Sequence, residues 1–318
     1  MEATSMHSRI AGTGRYLPRG ILTNHDLAKT VDTTDEWIRS MTGIRQRHFA
    51  GDGESTAEMG ALASIEALSA AGMRAEDLDL IVVATITPDL IFPSTAALIQ
   101  ARLGARNVGC LDLSAACSGF VFALATADGM ISSGQCRSAL VIGSERMSKL
   151  LDWNDRSTCV LFGDGAGAAV LVASRERGVL SSSLHADGSM PDVLRAPSKQ
   201  SPFLHMDGPV VFKFAVKGFV EAGEASLLAN GMEPGDLDWL IPHQANLRII
   251  EAATKRLKID PSCVVLTVDR HANTSAASIP MALDEAVRDG RVRTGNRVLL
   301  LSVGGGFTWG SCMLDWRA

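Results

Sequence analysis

Apolar residues along the chain gather in short unbroken runs, each preceded by a longer segment whose apolar positions recur with helical spacing. Residues 57–71 and 214–228 carry the helical pattern, and the runs at 80–85 and 239–242 read as buried strands. Strands that alternate with helices imply an α/β fold in which both faces of each sheet are covered. The pattern also repeats. Residues 71–81 align with 230–240, and 137–142 with 296–301, both at an offset of 159, half the chain length. Farther on, 166–171 aligns with 309–314 at an offset of 143, so the first half carries about 16 extra residues around 145–161. Three matches in order point to an internal duplication. The halves are expected at 1–175 and 176–318, joined near Arg175 to Gly178, with no flexible linker between them.

Two glycine runs interrupt this pattern. Gly163-Asp164-Gly165-Ala166-Gly167 has the look of a dinucleotide loop, yet residues 168–172 continue as strand and open no helix. With no helix N-terminus offered to a pyrophosphate, that reading fails. Gly304-Gly305-Gly306 follows a buried strand and reads either as a tight hairpin or as a backbone closely approached by a ligand, with a free N–H as an oxyanion donor.

Composition narrows the function. The chain has 318 residues, 46 % hydrophobic and 20 % charged, enough apolar surface for a sizeable core. Its longest uncharged run, residues 298–314, has 17 residues and a glycine interruption, short of a membrane span. No secretory signal is visible at the N-terminus, and Met6 is an alternative start that makes residues 1–5 an extension. Thirty basic against 35 acidic residues, net charge −5, lack the basic footprint of a nucleic-acid binder. Six scattered cysteines, with no C-x-x-C pair, argue against structural zinc or a disulfide scaffold and for a reducing cytoplasm.

One cysteine stands apart. Cys117 precedes the uncharged stretch 121–127, which reads as a buried central helix closed by Gly134. A thiol in the first turn of that helix would face unpaired N–H groups and the positive end of the dipole, which favours thiolate; otherwise it is a small core residue. His243 follows a strand and precedes a helix, where sites collect in α/β sheets. Asn273 taken alone is a cap or turn residue. These three acquire meaning only together.

Together with their surroundings they resemble β-ketoacyl-acyl carrier protein synthase III, the initiating condensing enzyme of bacterial type II fatty-acid synthesis, from Arg9 to Arg317. The resemblance rests on Gly12-Thr13-Gly14 with Tyr16-Leu17-Pro18, Thr34-Asp35-Glu36-Trp37-Ile38, Thr42-Gly43-Ile44-Arg45, the Cys117 segment and Phe162 to Ala168. It continues through Pro242 to Ile249, Asn273 to Ser278, and Gly304-Gly305-Gly306-Phe307-Thr308-Trp309-Gly310. It implies the thiolase fold, an internally duplicated five-layer αβαβα body that dimerises. By the same resemblance Cys117 takes an acyl group from acyl-CoA as a thioester, and the N–H groups of Cys117 and Gly305 form the oxyanion hole. His243 and Asn273 hold the malonyl thioester carbonyl of the second substrate, malonyl-acyl carrier protein, during decarboxylation. Metal and redox cofactor are not required.

The resemblance further implies that Trp37 and Arg156 sandwich the adenine of CoA, and that Phe92 reaches into the partner subunit's acyl pocket and limits chain length to a short primer such as acetyl. Met41 stands where some members carry a CoA-phosphate-binding arginine, which Arg39 would have to replace. Val303 and Met147 differ from pocket residues of some relatives. Acyl carrier protein is acidic and this chain is net negative, so docking calls for a local basic patch: Arg248, Lys255 and Arg256 on the helix after His243, with Lys213 nearby. Papain-like proteases share the Cys–His–Asn order but not the segment around the cysteine. Degradative thiolases need a second cysteine where this chain has Ser302-Val303-Gly304, and elongating ketosynthases a histidine where it has Asn273. A starter-unit condensing enzyme of secondary metabolism, of the alkylquinolone or polyketide type, is the remaining alternative.

Overall fold

In a computed structural model that describes residues 6–197 and 201–317, the repeat becomes two sheets. The extension expected at residues 1–5 lies outside the described residues. The first sheet runs His7–Tyr16, Asp164–Ser174, Ser138–Arg146, Leu80–Ala84, Gly109–Leu113; the second runs Val179–Ala186, Thr308–Asp315, Arg297–Gly304, Trp239–Pro242. Their registers coincide. Leu80 pairs in parallel with Ala139, and Trp239 with Val298, each member shifted by 159. Ala139 then faces Leu171 and Val298 faces Leu314 in antiparallel pairs, which accounts for the second offset of 143. The edge pair Ile81 and Cys110 has its counterpart in a single bridge from Leu240 to Val264.

Helices complete five layers. Thr56–Ala71 and Thr95–Leu103 cover the outer face of the first sheet, and Gly208–Ala229 and Leu247–Leu257 that of the second. Gly119–Ser132 and Ser278–Arg288 lie between the sheets, in one core of residues drawn from both halves. Gly119–Ser132 is accordingly apolar nearly all round; its lone acid, Asp128, accepts a hydrogen bond from Ser8 at 2.6 Å. Gly134 closes it with φ +76°, as the sequence suggests. Each central helix is led by a 3-10 turn, Ala116–Ser118 or Ser275–Ala277, again 159 apart. Each turn opens on a non-glycine residue in the left-handed region, Ala116 at φ 47° and Ser275 at φ 50°. Residues 164–167 of the first glycine run belong to strand Asp164–Ser174: a Cβ on Gly167 would lie 2.6 Å from the Met281 nitrogen, so the glycine admits the central helix. The extra residues of the first half form the excursion between strands Ser138–Arg146 and Asp164–Ser174, where the second half has a tight turn at Gly304 to Thr308. Among the described residues, no helix is long and apolar enough to cross a membrane, and no group of three or more His, Cys, Asp or Glu is placed to hold a metal ion.

Candidate active site

Cys117, His243 and Asn273, far apart in sequence, line one cavity of about 420 Å³ together with Gly304, Gly305, Gly306 and Phe307. Chain topology brings them there. The two central helices start side by side; Cys117 sits in the turn before one, and Asn273 just before the turn of the other. His243 follows strand Trp239–Pro242 and its N–H donates to Leu301 O at 2.7 Å. The glycine hairpin closes over the nucleophile turn: Thr308 Oγ1 donates to Ala115 O at 2.8 Å and Ser118 Oγ to Thr308 O at 3.0 Å. A Cβ on Gly304 would stand 2.6 Å from the Cys117 nitrogen, so the run is the tight hairpin of the first reading, packed closely on the nucleophile turn, and it lines the cavity.

All three side chains are buried, and burial sets their charges. His243 is held neutral, its imidazole pushed down to about 3 by desolvation. Its Nδ1 lies 2.6 Å from Ser278 Oγ, which leaves Nε2 for the cavity. The Asn273 Oδ1 accepts the Ser275 N–H at 2.9 Å, which turns the amide nitrogen away from that contact. Cys117 corrects the expectation drawn from its place at a helix start. Burial pushes its thiol up to about 12; a hydrogen bond with Ser275 works against this, and the charge of Glu145 adds to it. Removing water from a thiolate costs more here than the helix start returns. The sulfur is therefore a protonated thiol at rest.

Four residues here escaped the sequence reading: Ser278 on His243, Ser275 on Asn273 and Cys117, Glu145 on Ser275, and Gln244. The last donates to Pro242 O and Val265 O and accepts from the Thr267 and Val268 N–H groups, tying the loop after His243 to its neighbour. Ser275, Ser278 and Gln244 lie inside the motifs already noted, but only packing reveals what they touch. Glu145 lies outside them and has no local signal.

The other expected residues lie around or away from the cavity. Met147 and Val303 line it. Asn246 lines it too and donates to Met41 O at 3.1 Å, which joins the cavity to helix Asp35–Thr42. On that helix Trp37 stacks against the Arg156 guanidinium at 5.3 Å, the latter donating to Asp32 O. Arg39 pairs with Asp35 at 3.4 Å. Arg248 is exposed beside the cavity wall, 5.8 Å from the Phe212 ring. Lys213, Lys255 and Arg256 are exposed, and Lys255 lines a separate cleft with Glu251 and Lys258. Phe92 does not line its own chain's cavity: it is 84 % exposed, next to Ile91 at 97 %. All six cysteines are free.

The chain is similar to known proteins over nearly its whole length. Residues 111–188 match the family described as 3-oxoacyl-[acyl-carrier-protein (ACP)] synthase III, and 227–316 its C-terminal counterpart. A curated relative, the beta-ketoacyl-[acyl-carrier-protein] synthase III of Xanthomonas campestris pv. campestris, is 56 % identical over 97 % of this chain and 98 % of its own. The crystal structure of 3-oxoacyl-[acyl-carrier-protein] synthase III from Aquifex aeolicus VF5 superposes with a TM-score of 0.95 at 46 % identity, covering 97 % of this chain and all of the other. The priming beta-ketosynthase of the R1128 polyketide pathway superposes equally well, TM-score 0.95, but at 38 % identity, over 98 % of this chain and 97 % of its own.

Proposed function

From the premise that this chain belongs to the 3-oxoacyl-[acyl-carrier-protein] synthase III family, we propose that it condenses a short acyl-CoA, acetyl-CoA first of all, with malonyl-acyl carrier protein to give 3-ketoacyl-acyl carrier protein, CoA and CO2. It is a condensing acyltransferase of fatty-acid biosynthesis. The observation that carries the reading is the convergence of Cys117, His243 and Asn273 on one buried cavity under the glycine hairpin. Identity to relatives of this name, at 56 %, exceeds that to the polyketide priming enzyme, so the secondary-metabolism alternative is not favoured.

The steps follow from the chemistry of the residues. The Cys117 sulfur attacks the acyl-CoA carbonyl, and CoA leaves with the thiol proton as the thioester forms. The N–H groups of Cys117 and Gly305 are assigned the negative charge that builds on the carbonyl oxygen. Malonyl-acyl carrier protein then enters. As CO2 departs, the electrons of the broken C–C bond pass into an enolate whose oxygen is assigned to His243 Nε2–H and Asn273 Nδ2–H. Both donors are neutral and already in place, so they stabilise the developing charge more than the ground state. The carbanion attacks the acyl-Cys117 carbonyl, and the sulfur leaves as a thiolate that takes up a proton from water to restore the thiol. Loss of CO2 supplies the driving force, and no metal or redox cofactor takes part in this scheme.

Trp37 and Arg156 are assigned to the adenine of CoA. At 5.3 Å they touch, so the nucleotide takes its place by swinging Arg156 off the ring and off Asp32. The assigned division into halves at 175 and 176 is supported by the two large sheets, the five-stranded one built from strands between His7 and Ser174 and the four-stranded one from strands between Val179 and Asp315. An apolar tip as exposed as Ile91 and Phe92 calls for a partner surface, and a second copy of this chain, with Phe92 entering its acyl pocket, is the assigned one. Its place is the cytoplasm.

Purified protein given acetyl-CoA and malonyl-acyl carrier protein is expected to release CO2 and form acetoacetyl-acyl carrier protein, and in competition to prefer acetyl-CoA over octanoyl-CoA. Equal turnover of the two would overturn the short-primer assignment. Arg248→Ala is expected to raise KM for malonyl-acyl carrier protein, with a loss that shrinks as salt rises, and to leave acetyl transfer from CoA nearly intact. Equal loss in both half-reactions would place Arg248 in the fold or tunnel wall instead of a docking patch shared with Lys213, Lys255 and Arg256.

A further inference from the structure

Glu145, the second-last residue of strand Ser138–Arg146, is a fully buried carboxylate. Its Oε2 accepts hydrogen bonds from Thr87 Oγ1 at 2.6 Å, Thr85 Oγ1 at 3.1 Å and the Ile86 N–H at 3.1 Å, and its Oε1 from Ser275 Oγ at 3.0 Å. These donors are all neutral. A buried carboxylate without a cation is costly and is an unusual choice for packing alone. Ser275 is the junction. Its N–H donates to Asn273 Oδ1, its hydroxyl donates to Glu145 and lies near the Cys117 sulfur, and its backbone is held in the left-handed region.

We propose that Glu145 is a positioning residue for the condensation: through Ser275 its carboxylate fixes the Asn273 carboxamide and governs the charge around the Cys117 sulfur. The inference rests on the roles proposed above for Cys117 and Asn273. The chemistry of the surroundings singles out this coupling. Residues 85–87 face Glu145 with hydroxyls and an amide, and the second half faces it with Ser275. The neighbouring charged side chains are engaged elsewhere: Arg146 donates to Ala50 O, Asp164 accepts from Ser148 and Ala50, and the Lys149 ammonium pairs with Asp89. His243 is bonded to Ser278. Cys117 is the titratable group left to respond. Burial raises the Glu145 carboxyl to about 7, against the pull of its hydrogen bonds, and its ionised form opposes a thiolate at Cys117.

The test is the rate at which iodoacetamide alkylates Cys117, followed by peptide mass spectrometry across pH. It needs neither CoA nor carrier protein, so a failed condensation would leave this result standing. In the natural protein the logarithm of the rate is expected to climb with pH and bend to a shallower slope near pH 7, as Glu145 ionises. Glu145→Gln is expected to remove the bend and to alkylate about three- to tenfold faster above it, the effect of up to one pKa unit. The same variant is expected to lose kcat in malonyl decarboxylation with little change in KM. Ser275→Ala keeps the charge but loses the hydroxyl, and should keep the bend while alkylating more slowly throughout. A bend that survives in Glu145→Gln, or alkylation no faster than in the natural protein, would overturn the proposal. Should Glu145→Gln fail to fold, Ser275→Ala decides: unchanged alkylation and unchanged decarboxylation would overturn it as well.

Discussion

Replacement of Cys117 by serine is expected to abolish acyl transfer from acyl-CoA, by a factor on the order of 10⁴ or more, while the protein melts within a few degrees of its natural temperature. The two side chains differ by one atom and the site is a buried turn already tied to Thr308, so the fold has little to lose. Reactivity has everything to lose. Burial pushes even the thiol up to about 12, so negative charge arises on the sulfur only in the course of attack. An oxygen nucleophile, far less acidic and less polarisable, meets the same dry site with a larger deficit. Acetyl-CoA should leave a mass increment on the Cys117 peptide of the natural protein and none on the variant. An increment on Cys110, Cys136, Cys159, Cys263 or Cys312 would sink the assignment.

His243→Ala and Asn273→Ala are each expected to slow decarboxylation of malonyl-acyl carrier protein by about 10²–10³-fold, the usual cost of one preorganised donor to a developing oxyanion. Acylation of Cys117 by acetyl-CoA should survive both, because the acyl carbonyl is assigned to the N–H groups of Cys117 and Gly305. A protease or degradative thiolase would not divide the half-reactions in this way. The pH dependence adds a second reading. His243 is neutral down to about pH 3, so no titration of decarboxylation near the ordinary histidine value of 6.5 should belong to its imidazole, and a bend near pH 7 that persists in His243→Ala belongs to Glu145. Loss of rate with an apparent pKa near 6.5 that vanishes in His243→Ala would mean that the imidazole is hydrated and charged in the working site. Stability carries the same sign. The unfolded chain takes up a proton at this histidine before the folded one does, so its share of stability is present above pH 6.5 and is lost as pH falls toward 3. Glu145 acts oppositely: raised from 4.5 to about 7, it withdraws stability as pH rises through that window.

Local signals carried much of the fold. The helical and strand periods, the capping glycine at 134 and the 159-residue repeat are properties of neighbouring residues or of one segment against another. They reappear as matched registers, Leu80 on Ala139 and Trp239 on Val298. The glycines at 163–167 were legible as strand for a local reason, since no helix follows them. Why residues 165 and 167 are glycines was not legible, because the answer is Met281 and Pro280 of a helix more than a hundred residues away.

The division is the same at the site. Residue type and setting singled out Cys117, His243 and Asn273, and the wider motifs joined them to a family, because the chemistry needs a nucleophile and two donors that no bland substitute supplies. What the sequence could not reveal is the state of those groups. The dipole argument for Cys117 used its own helix and pointed to a thiolate; desolvation by both halves of the molecule decided for the thiol. The His243 tautomer depends on Ser278 and the Asn273 orientation on Ser275, and Glu145 enters only through a hydrogen bond across 130 residues. Burial and long-range hydrogen bonds are properties of the assembled core. Which chemistry this protein carries is written in its residue types, whereas the charges and geometry with which it is carried come from packing, because the cost of removing water from a group depends on every segment around it.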